Sequence, residues 1–186
     1  MRSLRAGTLW ASATIVAIVA LLTAVAHPSK TSTEQAPPRN YGVIWEHKLT
    51  RSGLPDDNSL AWLHSQGVKS VVTFLPDHNV DYQKYGFSVL RIPMKSDPPT
   101  EQQAEHYLRF IQDPKNQPVH IHCVAGQSRT GLMAALARYA IDGWPLDRAL
   151  EEARRYRGGK DLSKKRVDWL REWAARHPAG SFRVNP

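Results

Sequence analysis

Between Pro118 and Ala137 the chain reads PVHIHCVAGQSRTGLMAALA, and no other stretch narrows the possible folds as much. Pro118 to Cys123 alternates, which puts Val119, Ile121 and Cys123 on one side of a strand and His120 and His122 on the other. Gly126 marks a tight loop, and the apolar run that follows predicts a helix over roughly Thr130 to Asp142. A strand that enters a helix through so short a loop is a building unit of an α/β sheet. The helix crosses back over the sheet, so neighbouring strands run parallel and both faces are covered.

The rest of the chain repeats this alternation. Leu49 to Gly53 predicts a short strand entering a turn, and Asp57 is expected to cap a helix that carries Leu60, Trp62 and Leu63 and stops at Gly67. Val68 to Leu75 is a β-branched run and predicts a central strand. Pro76 to Asn79 breaks it, a short helix follows through Tyr85, and Phe87 to Ile92 is a further strand. Thr100 and Gln103 form a capping box for a helix with Ala104, Tyr107, Leu108 and Ile111 on one face, ended by Asp113-Pro114. Two more helices are expected, Leu146 to Tyr156 and Ser163 to Arg176. The predicted class is α/β, one central and mostly parallel sheet flanked by helices.

That domain is expected to occupy residues 41–178, with a C-terminal tail at 179–186. Ahead of it, residues 27–40 are polar and Pro-rich without apolar periodicity, the composition of a spacer. Residues 1–26 begin with Arg2 and Arg5, continue uncharged from Ala6, and end in Ala24-Val25-Ala26, a small-x-small pattern. They read as a cleaved signal peptide or as an uncleaved anchor, because about 20 uncharged residues span a bilayer. Either way the chain beyond His27 is expected outside the cytoplasm.

The single cysteine excludes an intramolecular disulfide and a cysteine-built zinc site. The net charge of +8 favours anionic partners, but no zinc finger, helix-turn-helix or aromatic-basic interleaving points to nucleic acid.

The strand–loop–helix segment carries the chemistry. A tight loop there aims several backbone N–H groups at one point, and the helix adds its unpaired amides and positive end. Val124, Ala125, Gly126, Gln127, Ser128 and Arg129 are the candidate phosphate-binding residues. Cys123 opens the loop, where such a field turns thiol into thiolate. Arg129, six positions on, can present its planar fork to two phosphate oxygens, and Thr130 can offer a hydroxyl to the sulfur.

The run His122-Cys123-x-x-Gly126-x-x-Arg129-Thr130-Gly131 resembles the signature of the protein tyrosine phosphatase superfamily, above all its dual-specificity members. Arg51-Ser52-Gly53-Leu54-Pro55, followed by a helix and Gly67 to Val72, resembles the opening of exported bacterial dual-specificity phosphatases. The resemblance implies the cysteine-phosphatase fold, a periplasmic or inner-membrane-anchored enzyme, a phosphocysteine intermediate, and no cofactor or metal. It also implies an acid on a loop upstream: Asp97, before the capped helix, or Asp77 as the second candidate. His122 is expected to orient the loop rather than move protons.

The implied substrate is a phosphorylated protein, phosphotyrosine foremost, or a small phosphate ester. The uncharged Val124, Ala125, Gln127 and Ser128 weigh against the inositol polyphosphates taken by relatives with basic loops. An inositol phosphate phosphatase, a non-catalytic phosphate-binding module and a rhodanese-like sulfur transferase stand as alternatives.

Overall fold

A computed structural model describes residues 35–184. The expected export segment, 1–26, and spacer residues 27–34 lie outside the described residues. The elements are β1 (Gly42–Trp45), β2 (Leu49–Ser52), α1 (Asp57–Ser65), β3 (Ser70–Thr73), a 3-10 turn (Gln83–Tyr85), β4 (Ser88–Arg91), α2 (Glu101–Gln112), β5 (Val119–His122), α3 (Ser128–Ala140), α4 (Leu146–Arg155) and α5 (Lys164–Arg176). They build one five-stranded sheet in the order β1-β2-β5-β3-β4. β5 pairs parallel with both β2 and β3, β4 pairs parallel with β3, and only β1 runs antiparallel. The mostly parallel α/β sheet expected from the sequence is the fold.

β5 owes its central place to its residues: all four are buried, so it needs cover on both faces. On one face Leu49, Val72, Val119 and Ile121 join Leu108, Leu136, Leu170 and Trp173 in the larger core. On the other, Val71 packs with Leu60, Leu63, Tyr82 and Phe87. β1 was not legible. Its turn onto β2 has His47 at φ 55 where a glycine or asparagine would have signalled a hairpin.

Two boundaries differ from expectation. Asp56, not Asp57, caps α1: its backbone is extended and its carboxylate accepts from the Ser59 amide at 2.8 Å. Asp57 is the first helical residue and pairs with Lys84 instead. α3 begins at Ser128 rather than Thr130, so Arg129 already lies in its first turn and the helix sets its direction. The capping box at Thr100 and Gln103 is present, with Ala104, Tyr107, Leu108 and Ile111 buried beneath it.

The ends of the described chain are part of the fold. Pro38 is buried, and Asn40 reaches the loop after β5, although composition placed both in the spacer. At the far end Phe182 packs on Trp173 and His177, its amide donates to the Ala140 carbonyl, and Arg183 donates to Ile141 and Asp142. Residues expected as a loose tail are thereby docked, because a buried Trp and a backbone ladder receive them.

Candidate active site

The site lies at the carboxyl end of β5, where loops of a parallel sheet converge. Cys123 leaves the strand on the face shared with Val119 and Ile121, and only 3% of it is exposed. Burial alone would push its thiol up. The Thr130 hydroxyl and the amides of Thr130, Gly126 and Gln127 pull the other way, and the thiol ends below its ordinary value. Thr130 Oγ1 is itself buried without a well-formed hydrogen bond, so its effect on the sulfur is that of a nearby polar group awaiting an acceptor.

The loop's orientation follows from what holds its carbonyls. The Val124 oxygen accepts from the Leu54 amide at 2.9 Å and from Arg39 Nη2 at 2.7 Å. Asn40 Nδ2 donates to Ala125 at 3.2 Å and to Gly126 at 3.0 Å. Arg51 Nη2 donates to the Gly126 oxygen at 2.8 Å. In a trans peptide the carbonyl and the next amide point in opposite directions. Drawing the oxygens of residues 124–126 outward therefore turns the amides of 125–127 inward. Gly126 is required twice over: its φ is +70, and a Cβ there would stand 2.5 Å from the Gly53 nitrogen.

His122 points to the opposite face, as alternation requires. Its Nδ1 lies 3.4 Å from the Cys123 carbonyl, which can only accept, so Nε2 accepts from the Tyr82 hydroxyl at 2.6 Å. Burial lowers its pKa to about 3, and the ring is neutral at ordinary pH. Next to it His120 is held between Ser52 Oγ at 2.7 Å and Thr50 Oγ1 at 2.9 Å.

Of the two candidate acids, Asp97 is joined to α5, and Asp77 bears electrostatically on His78, whose ring packs against His122. Asp97 is exposed and paired with Lys165 of α5, whose ammonium lowers its pKa. Arg166, the next residue, donates to the Lys95 carbonyl at 3.1 Å and so fastens the same loop. Arg129 is half-exposed at the start of α3. Burial lowers the pKa of Arg166, and the charges of Arg129 and Arg157 lower it further while Cys123 and Asp97 oppose them. Arg166 thus feels two further guanidinium charges while it fastens the loop that carries Asp97.

Arg51, Asn40 and Arg166 carried no role in the sequence reading. Period two puts Arg51 on the same side as Leu49, and Arg166 stands four and seven positions before Leu170 and Trp173, so each sat on a face otherwise apolar. That anomaly was the available signal. Separate concavities lie elsewhere on the surface. One of about 550 Å³, between Trp45, Lys48, Gln117 and Ile141, opens at the opposite end of the strands and offers no nucleophile.

Residues 17–172 match the family model described as "DSP-PTPase phosphatase fused to NAD+ Kinase". A Mycosarcoma maydis protein named as a tyrosine-protein phosphatase, OCA1, is 33% identical over 136 residues, 67% of this chain and 84% of that one. Dual specificity protein phosphatase TpbA of Pseudomonas aeruginosa is 36% identical over 109 residues, 58% of this chain, and the match spans only 50% of TpbA. A TpbA crystal structure superposes with a TM-score of 0.52 at 33% identity, covering 70% of this chain and 88% of that one. Inositol diphosphatase DSP3 of Arabidopsis thaliana is 28% identical over 140 residues, 67% of this chain and 66% of its own length. With its signature loop folded as a cradle of inward amides around Cys123, the chain belongs to the DSP-PTPase family of the protein tyrosine phosphatase superfamily.

Proposed function

We propose that this chain hydrolyses phosphate monoesters, phosphoprotein foremost, through a phosphocysteine on Cys123. One observation carries the reading: a buried cysteine opens a loop whose carbonyls are drawn outward by Leu54, Arg39, Asn40 and Arg51, which turns its amides inward beside the sulfur. The thiolate attacks phosphorus in line, the S–P bond forms, and the P–O bond to the leaving group breaks. Inward amides and Arg129 hold the equatorial oxygens. Asp97 protonates the departing oxygen and, as carboxylate, takes a proton from the water that then breaks the S–P bond and frees phosphate. Asp97 performs this once its loop swings from Lys165 toward the pocket. His122, neutral and turned to Tyr82, holds the loop and transfers no proton.

Assaying the domain on an aryl phosphate tests the assignment. Cys123→Ser is expected to abolish turnover, and Asp97→Asn to slow it about 100-fold on the acid side of the profile. Turnover surviving in Cys123→Ser would remove the nucleophile from the scheme, whereas a wild-type protein without turnover would favour the non-catalytic or, with thiosulfate–cyanide activity, the rhodanese-like reading. Asp77→Asn slowing the reaction in place of Asp97→Asn would move the acid.

A second reading, an inositol polyphosphate as substrate, is favoured by Arg157 and Arg166 beside Arg129, a concentration of positive charge that α5 and its approach supply and the loop does not. Side-by-side kcat/KM values for phosphotyrosyl peptides and inositol polyphosphates separate the two. Export is inferred from Arg2, Arg5, the uncharged run and Ala24 to Ala26, with the membrane as partner if the segment stays uncleaved. N-terminal sequencing of the mature protein and cell fractionation test it: a cytoplasmic protein that retains Met1 contradicts export.

A further inference from the structure

Arg51 is an unusual residue for the centre of a sheet. It sits on β2 opposite Ile121, is fully buried, and has no carboxylate partner among the described residues. Its guanidinium lies on the Tyr156 ring at 3.8 Å, Nη2 donates to Gly126 at 2.8 Å, and Nε and Nη1 have no partner among the described residues. Burying a charge alone costs several kcal/mol, and an apolar side chain of similar size would avoid that cost. The charge is therefore balanced by something. The groups it feels are Tyr156, Glu152, Cys123 and Tyr107. Burial drives the Tyr107 phenol far above its usual range, so it carries no charge, Tyr156 meets the guanidinium with its ring face, and Glu152 is committed to Arg138 at 2.9 Å. What remains is the Cys123 sulfur and any oxyanion bound above it.

The second half of the device is Asn40. It holds a left-handed backbone at φ 56, and its one amide nitrogen lies within 3.2 Å of the Ala125, Gly126 and Tyr156 oxygens. It fastens the loop's outward carbonyls to the same end of α4 that Tyr156 uses to stack on Arg51.

We propose that Arg51, with Asn40, is a positioning residue: together they turn the phosphate loop's amides into the pocket, and Arg51 supplies the buried positive charge behind its anions. The inference rests on the reading of this loop as the phosphate site and of Cys123 as its nucleophile. Arg129 and Arg166 act on the pocket from α3 and α5, Thr130 from within the helix, and His122 and Tyr82 from the opposite face of the sheet. Arg51 acts from beneath.

The test follows Cys123 directly, by iodoacetamide alkylation of the full chain across pH and by protection with inorganic phosphate. Neither readout needs turnover. In Arg51→Met the alkylation midpoint is expected to rise by about one pH unit, and protection to weaken about tenfold. Arg51→Lys restores most of the midpoint by keeping the charge. Asn40→Gly, which tolerates positive φ and loses the donors, moves both readouts the same way by about threefold.

Folded Arg51→Met and Asn40→Gly proteins with wild-type midpoint and protection overturn the proposal, even if both melt earlier, because a purely structural role changes only the melt. If Arg51→Met fails to fold, Asn40→Gly decides alone. Failure of the underlying reading shows elsewhere: Cys123→Ser would keep its turnover, or phosphate would not protect the wild-type thiol.

Discussion

Cys123 and Thr130 are seven positions apart, which places the hydroxyl within the first turn of α3, on a side chain that leans back toward the loop. That arrangement lets one side chain act on the sulfur without displacing any backbone amide. Thr130→Val keeps the shape and removes the hydroxyl. It is expected to raise the thiol pKa, and the acid limb of the kcat/KM profile moves to higher pH with it, because less thiolate is present at a given acidic pH. A profile coincident with wild type would show that the amides alone keep the sulfur ionised. The positions of Cys123, Gly126, Arg129 and Thr130 could be read from the sequence because they fall within one loop and one turn, where backbone geometry fixes what neighbours what. Nothing local marked the partners of the carbonyls on the loop's outer side: Arg51 and Asn40 lie 75 and 86 residues from Gly126.

At the scale of elements, α5 and the loop before α2 form one device and β5 another. Lys165 draws Asp97 out toward solvent, and Arg166 pins the same loop through Lys95. Removing the ammonium in Lys165→Met frees the carboxylate, whose pKa rises toward its ordinary value. The basic limb of kcat/KM then moves to higher pH; an unmoved limb means that Asp97 is not the group protonated in catalysis.

β5 carries two histidines whose burial lowers their pKa values, to about 3 for His122 and well below ordinary for His120. The folded state keeps them neutral while the unfolded chain takes up protons below about pH 6.5. As pH falls from 6.5 toward 3 the unfolded state binds more protons, and stability drops by up to about 1.4 kcal/mol per pH unit for each histidine. Denaturant melts between pH 7 and 4.5 are expected to show this slope, and His120→Asn to flatten it. Equal slopes in both proteins would mean that His120 is solvated or protonated in the fold. Alternation gave the two faces of this strand correctly. The hydroxyl partners that keep each ring satisfied come from β2 and the segment before the 3-10 turn, and only strand pairing brings them in.

Across the whole molecule, the net charge of +8 is not spread evenly: the positive charges of Arg129 and Arg157 both bear on Arg166, and Lys165 is its neighbour along α5. Such a field attracts anionic substrates from a distance and weakens as salt shortens its range to about 8 Å at physiological ionic strength. The kcat/KM for a multiply charged phosphate ester is therefore expected to fall several-fold between 20 and 300 mM salt, more steeply than that for a singly phosphorylated aryl ester. Equal salt dependence would confine recognition to the loop. In the amino-acid sequence Arg129 and Arg157 belong to a helix start and a connecting loop, only Arg166 stands out on a face otherwise apolar, and nothing along the chain brings the three charges together.

What the sequence determined by itself was everything that depends on neighbours along the chain: the α/β alternation, the strand–loop–helix around Cys123, the helix cap at Thr100, and the spacing of Cys123 and Arg129 along the loop. Such features follow from rise per residue and side-chain period, which a sequence states outright. Tertiary structure alone decided which way the loop's peptides face, what charge lies beneath them, and what holds the acid loop. Those depend on the register of β2 against β5 and on where α4 and α5 return to the sheet, and long-range pairing of this kind is set by the packing of the whole core.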